Sequence, residues 1–150
     1  MADYTIRRAR REDIGAIVHM LADDQLGATR DDPSDLKPYL RAFDEIDADP
    51  NQLLMVVASG DDPVGTLQLT IIPGLARRGA LRGQIEAVRI HADHRSSGLG
   101  TDLVRWAIDE SRRRGCGLVQ LTSDTSRTEA YRFYEGLGFA PSHTGFKLKL

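Results

Sequence analysis

The sequence predicts a single α/β (α+β) domain spanning residues 1–150, with a mixed central sheet flanked by helices. Three observations carry that expectation. A length of 150 residues suits one compact core. Apolar residues recur with helical spacing in some segments and with strand spacing in others. The two kinds of segment run strand, helix, helix, three strands, helix, strand, helix and a closing strand, an order that requires helices packed over a mixed sheet.

Tyr4 to Arg8 alternates as a short strand. Ile14, Ile17, Val18 and Leu21 then define one helix face, with Glu12 and Asp13 at its positive end. Gly27 interrupts the pattern, and Pro33 to Asp49 resumes it with Leu36, Tyr39, Leu40 and Phe43 on one side. Leu53 to Ala58 is a continuous apolar run bounded by turn residues, which fits a strand buried on both faces. Gly60 to Pro63 turns the chain into an alternating strand with Leu67, Leu69 and Ile71 on its apolar face, so a hairpin is expected. A basic loop, Pro73 to Gly83, precedes a strand from Ile85 to Ile90. Leu99, Leu103, Val104, Ala107 and Ile108 mark the next helix, which Arg112 to Arg114 close at its negative end. Leu118 to Leu121 forms a strand. Ser126 with Glu129 reads as a capping box for a helix that carries Ala130, Phe133, Tyr134 and Leu137 and stops at Gly138. Phe146 to Leu150 supplies the closing strand.

Composition narrows the function classes. Hydrophobic residues make up 41% and charged residues 28%, ordinary globular usage that indicates neither disorder nor a coiled coil. A formal net charge of -2 argues against a dedicated nucleic-acid binder. No segment is apolar enough to span a membrane, and the first residues lack a signal core, so a cytoplasmic protein is expected. The lone Cys116 has no disulfide partner and fits a reducing compartment. His91 and His94 lack further clustered ligands and are expected to be loop histidines, with no metal bound.

The segment Arg95-Ser96-Ser97-Gly98-Leu99-Gly100-Thr101 lies between a strand and a helix. Glycines let the backbone approach a ligand, and the unpaired amides of a helix start carry about half a positive charge. A pyrophosphate suits such a site. The dinucleotide fingerprint needs a third glycine where Leu103 stands, and the triphosphate loop needs a Gly-Lys-Ser/Thr ending that is absent.

In this context the sequence resembles the GNAT superfamily of N-acetyltransferases. The family hallmark, Gln/Arg-x-x-Gly-x-Gly/Ala after a central strand, is matched by Arg95-Ser96-Ser97-Gly98-Leu99-Gly100 following Ile85-Glu86-Ala87-Val88-Arg89-Ile90. A second motif, an aromatic pair ahead of Gly-Phe, is matched by Phe133-Tyr134 and Gly138-Phe139. Motif-level resemblance covers Gln84 to Phe139. It implies acetyl-CoA as co-substrate, held in a cleft between splayed strands, with its pyrophosphate on the amides of Ser96, Ser97, Gly98, Leu99, Gly100 and Thr101 beside Arg95. The backbone of Val88, Arg89 and Ile90 would pair with the pantetheine arm. The family often has asparagine where Arg127 stands, so Arg127 either reaches a phosphate oxygen or faces solvent.

The resemblance further implies that an acetyl group passes directly to a primary amine of a small molecule or peptide. Tyr134 matches the tyrosine that protonates the departing thiolate. An amine with a pKa near ~10 must lose a proton before it attacks. Glu86 is the candidate base: in a regular strand it shares a face with Val88 and Ile90, where partial burial would raise its pKa. His143 is a secondary candidate. The acids from Asp23 to Asp49 would attract a cationic amine, or else form a solvated helix face. The alternatives are a catalytically inactive CoA-binding sensor or protein-interaction module, and an unrelated nucleotide-binding protein. Homodimerisation is expected through the closing strands.

Overall fold

The computed structural model describes residues 3–150. One sheet holds five strands in chain order: β1 (Tyr4–Arg8), β2 (Gln52–Ser59), β3 (Asp62–Ile72), β4 (Leu81–Ile90) and β5 (Cys116–Gln120). The first three junctions are antiparallel and the β4–β5 junction is parallel, so the sheet is mixed, as expected. The helices are α1 (Ile14–Ala22), α2 (Gly27–Arg30), α3 (Lys37–Ala48), the one-turn α4 (Ala76–Gly79), α5 (Leu99–Arg113) and α6 (Thr128–Gly136). A parallel junction needs a crossover, and α5 supplies it.

Each face of the sheet has its own apolar layer. Leu67, Leu69 and Ile85 pack with Leu99, Leu103, Val104 and Ala107 of α5 on one side. On the other, Val56 packs with Ile14, Ile17, Val18 and Met20 of α1 and Phe43 of α3. β2 feeds both layers through Val57 and Val56, which is why its sequence is apolar without alternation. Leu103 is fully buried, so truncating it to alanine would cost about 2–5 kcal/mol.

Local chemistry adjusts several boundaries. Buried Asp13 accepts two bonds from the Arg7 guanidinium, at 2.7 and 3.1 Å, and one from Arg10 N–H at 2.7 Å, which ties β1 to the start of α1. Gly27 opens α2 at a point where a Cβ would collide with the Leu21 carbonyl, so the close approach requires glycine. α3 begins only at Lys37: Asp32 and Asp35 capture the amides of Ser34 and Lys37 first. The Ser126–Glu129 capping box does not form. Ser126 instead donates to Asp124 by its amide and hydroxyl, at 2.9 and 2.6 Å, and Arg127 occupies the position before α6 without a side-chain cap bond.

Two expectations fail in ways that bear on function. Phe146 to Leu150 is not a strand in this chain; Phe146, Leu148 and Leu150 are 94%, 86% and 111% exposed. Gly145 passes Thr122 just beyond β5, and the residues after it find no strand partner among the described residues. The second failure is in β4. Gln68 pairs with Glu86 and Thr66 pairs with Arg89, so two residues, Ala87 and Val88, oppose Leu67 alone. Ala87 takes a left-handed φ of 55° to accommodate the extra residue.

Candidate active site

Pairing between β4 and β5 runs from Leu81↔Cys116 to Gln84↔Gln120, where the two glutamine side chains bond at 2.7 Å. β4 continues for six residues beyond that fork, to Ile90, without β5 beside it. The strands therefore part into a cleft that leaves the β4 edge available to an extended ligand, as expected.

The cleft leads to the glycine loop. Beyond Ile90 comes a tight turn at Ala92–His94, then Arg95 to Gly98, then α5. Ser96 and Gly98 both have positive φ, 64° and 83°, and the Ser97 hydroxyl donates to the His94 carbonyl. The first α5 amide with an upstream acceptor is Asp102 N–H, to Gly98 O at 3.1 Å. The preceding amides open from the end of a 15-residue helix and suit an anion. Arg95 donates from Nε to Ile90 O at 3.1 Å and lies 3.5 Å from Asp23, which fastens this loop to the end of α1.

Helix α6 closes the arrangement. The position of a Cβ on Gly100 is 3.5 Å from the Phe133 ring, and Tyr134 meets Phe133 and Phe139 edge-on at 5.1 and 5.9 Å. Burial raises the Tyr134 hydroxyl above its usual pKa, and the charges of Arg89 and Arg127 only partly offset this. The hydroxyl is therefore protonated at neutral pH, the state that a proton donor requires.

The bulge overturns the expectation for Glu86. Residues paired across antiparallel strands share a face, so Glu86 and Arg89 lie with Gln68 and Thr66 on the α1/α3 side. Val88 and Ile90 pack into the opposite layer, beside α5. Glu86 is exposed, not partly buried.

The sequence reading missed Asp24 and the side-chain role of Arg89. Arg127 does not face solvent freely: its Nη1 bonds Asp24 Oδ2 at 3.0 Å. Arg89 Nε approaches the same oxygen at 3.6 Å, and Asp24 Oδ1 accepts from Gly27 N–H. Burial opposes ionisation of Asp24, but the Gly27 amide and the two arginines outweigh it and hold the carboxyl below its usual range. Three segments distant in sequence thus meet at one carboxylate, a contact that no local pattern encodes.

The remaining candidates lie elsewhere. His91 accepts from Asp93 N–H at 3.1 Å, and His94 meets the Tyr4 hydroxyl at 3.1 Å. His143 sits in the exposed tail against Ser142 Oγ at 2.6 Å. Cys116 begins β5 at the end away from the fork; burial raises its thiol pKa, which suits a packing residue. The acids of the first half are largely engaged: Asp23 with Arg95, Asp44 with Arg11 at 2.6 Å, and Asp31 with the Tyr39 hydroxyl at 3.0 Å.

A forked sheet, a glycine loop opening a long helix and a half-buried tyrosine on the next helix stand together in this fold. The chain belongs to the acetyltransferase (GNAT) family, whose model matches residues 14–139. A solved transcriptional regulator from Bacillus halodurans C-125 has the same fold, with TM-score 0.95 and 46% identity over 99% of this chain and 100% of that one. An aminoalkylphosphonate N-acetyltransferase from Salmonella typhimurium is 29% identical over 98 residues, covering 65% of this chain and 63% of the relative. A glucosamine 6-phosphate N-acetyltransferase from Trypanosoma brucei brucei is 36% identical over 87 residues, 58% and 57% of the two chains. The chain thus spans less than two thirds of these curated relatives.

Proposed function

We propose that this chain transfers an acetyl group from acetyl-CoA to a primary amine by direct attack. The observation that carries this reading is the parting of β4 and β5 after Gln84 and Gln120, which aims an open strand edge at the start of α5. Acetyl-CoA supplies the acetyl group as a thioester. The amides from Ser96 to Thr101 fit its pyrophosphate, and the edge at Val88, Arg89 and Ile90 fits its extended arm. The N-acetyltransferase relatives support the same chemistry.

In this reading the acceptor nitrogen bonds to the carbonyl carbon and the carbon–sulfur bond breaks. Tyr134, protonated and packed beside the cleft, gives its proton to the departing sulfur. Exposed Glu86 takes the acceptor's proton through water from the α1/α3 side. Positioning the two reactants supplies much of the rate. Thiol release from acetyl-CoA with a panel of amines tests the assignment. Tyr134→Phe should lower kcat by about 10²–10⁴ with CoA affinity retained; undiminished turnover would refute the role. Cys116→Ala should leave turnover intact, and a complete loss would refute direct transfer.

A second reading rests on the relative described as a transcriptional regulator. The chain would then be a CoA-binding module that acts through a partner. Tight CoA binding without acceptor-dependent thiol release would favour it.

We also propose a homodimer and a cytoplasmic location. The exposed alternation of Phe146, Leu148 and Leu150, together with β5 standing at the edge of the sheet, supports strand pairing between two copies. Among the described residues no helix is long and apolar enough to cross a membrane.

A further inference from the structure

The polar side of β4 carries an unsatisfied cation. The Arg89 side chain is only 20% exposed, and its Nε is buried with no hydrogen-bond partner among the described residues. Its one recorded donation, from Nη1 to the neighbouring Val88 carbonyl at 2.9 Å, leaves the rest of the fork unused. A buried guanidinium is normally paired, because removing it from water is costly. The nearest carboxylate, Asp24, cannot fill that role fully. One of its oxygens serves Gly27 N–H and the other serves Arg127 at 3.0 Å, leaving Arg89 at 3.6 Å. Asp31 acts on Arg89 more weakly and already accepts from Tyr39.

The unmet demand lies next to the proposed chemistry. Arg127 stands at the start of α6, about two turns before Tyr134, and Arg89 precedes Ile90, which lies with Phe133 against Gly100, so the space that the arginines flank adjoins the reacting end of the cleft. Thr66 and Gln68 pave the same sheet face. Asp23 and Asp24 are each held by arginine, so their charge is already met within the chain.

We propose that the acceptor carries an oxyanion, as a carboxylate, phosphate or phosphonate, which Arg89 and Arg127 hold beside Tyr134 while the acceptor's amine faces the cleft. This deepens the acetyl-transfer reading and rests on it for the amine's orientation. Asp24 then holds the two arginines in place when no acceptor is bound.

Calorimetry with aminoethylphosphonate, β-alanine and ethanolamine tests the proposal, since these share a short aminoalkyl chain and differ in the terminal group. Each is titrated with and without CoA. At least one of the two anionic amines should bind about 30-fold more tightly than ethanolamine, the scale of a charge-assisted hydrogen bond. The comparison between the two anionic amines identifies which oxyanion fits. Arg89→Gln should remove the preference and Arg89→Lys should restore part of it. A cooperative melt and an unchanged circular dichroism spectrum show that Arg89→Gln is folded. Equal binding of all three amines, no binding of any at millimolar concentration, or a preference that survives Arg89→Gln would overturn the proposal. Absence of CoA heat would count against acetyl transfer alone, since the amine preference is also read without CoA.

Discussion

Replacing Asp24 with asparagine should weaken the fold and strengthen anion binding at the same time. The substitution retains an oxygen for Gly27 N–H and removes the charge that Arg127 meets at 3.0 Å and Arg89 at 3.6 Å. Asp24 and Arg127 are 27% and 28% exposed, between the surface pairs worth 0–1 kcal/mol and the buried pairs whose disruption costs 3–5. A loss of about 1–2 kcal/mol follows. With an unfolding entropy of about 2.1 cal/mol/K per residue, a chain of 150 residues changes by about 0.3 kcal/mol per degree, so Tm should fall by about 3–6 °C. The folded-state pKa of Asp24 is depressed, so its contribution is present above the unfolded carboxyl pKa and fades as pH falls through the folded value. The gap between parent and variant should therefore close below about pH 3.8, the ordinary aspartate value. Released from Asp24, both arginines should bind phosphonate or carboxylate amines more tightly. Paired thermal melts and titrations read the two effects. An unchanged Tm together with weaker anion binding would refute the account of Asp24 as a counter-ion that the acceptor displaces.

Three further outcomes follow from the packing. Gly83→Ala should cost about 1–3 kcal/mol, because its Cβ would strike Ser111 Oγ, which is fully buried and donates to Ala107 O at 2.7 Å. Adding Ser111→Ala should recover part of that loss in chemical denaturation, and an additive double mutant would exclude the clash. Asp13→Asn should lower stability at neutral pH and flatten its decline in acid. Burial raises the Asp13 pKa, but the Arg7 and Arg10 donors lower it further, so its stabilisation is lost as pH falls below the unfolded value of about 3.8. Equal slopes for both proteins in acid melts would refute this. Replacing Phe146 and Leu148 with lysine should shift the protein from dimer to monomer in light scattering with an unchanged circular dichroism spectrum; a dimer that persists would exclude pairing through the tail.

The legible parts of this molecule are those encoded within a few residues. Ile14, Ile17 and Val18 of α1, the apolar run of β2 and the strand–loop–helix around Gly98 each declare themselves through spacing or turn chemistry. The strand from Tyr4 to Arg8 has the bounds that alternation suggests. What escaped was set by distant partners. Asp24 meets Arg89 and Arg127 only after the sheet and α6 are assembled. Phe146 to Leu150 has the alternation of a strand, but pairing needs a neighbour, and local pattern does not say whether the same chain provides one. Ser126 has the spacing of a helix cap, yet its amide and hydroxyl donate to Asp124 in a turn and the helix starts only at Thr128.

The extra residue at Ala87 acts as a change of phase along β4. Counting every second residue from Ile85 assigns sides correctly up to the bulge and inversely after it. Deleting Ala87 alone would bring Val88 opposite Leu67 one to one and leave Arg89 opposite Thr66 and Ile90 opposite Gly65, straightening the strand without exchanging its faces.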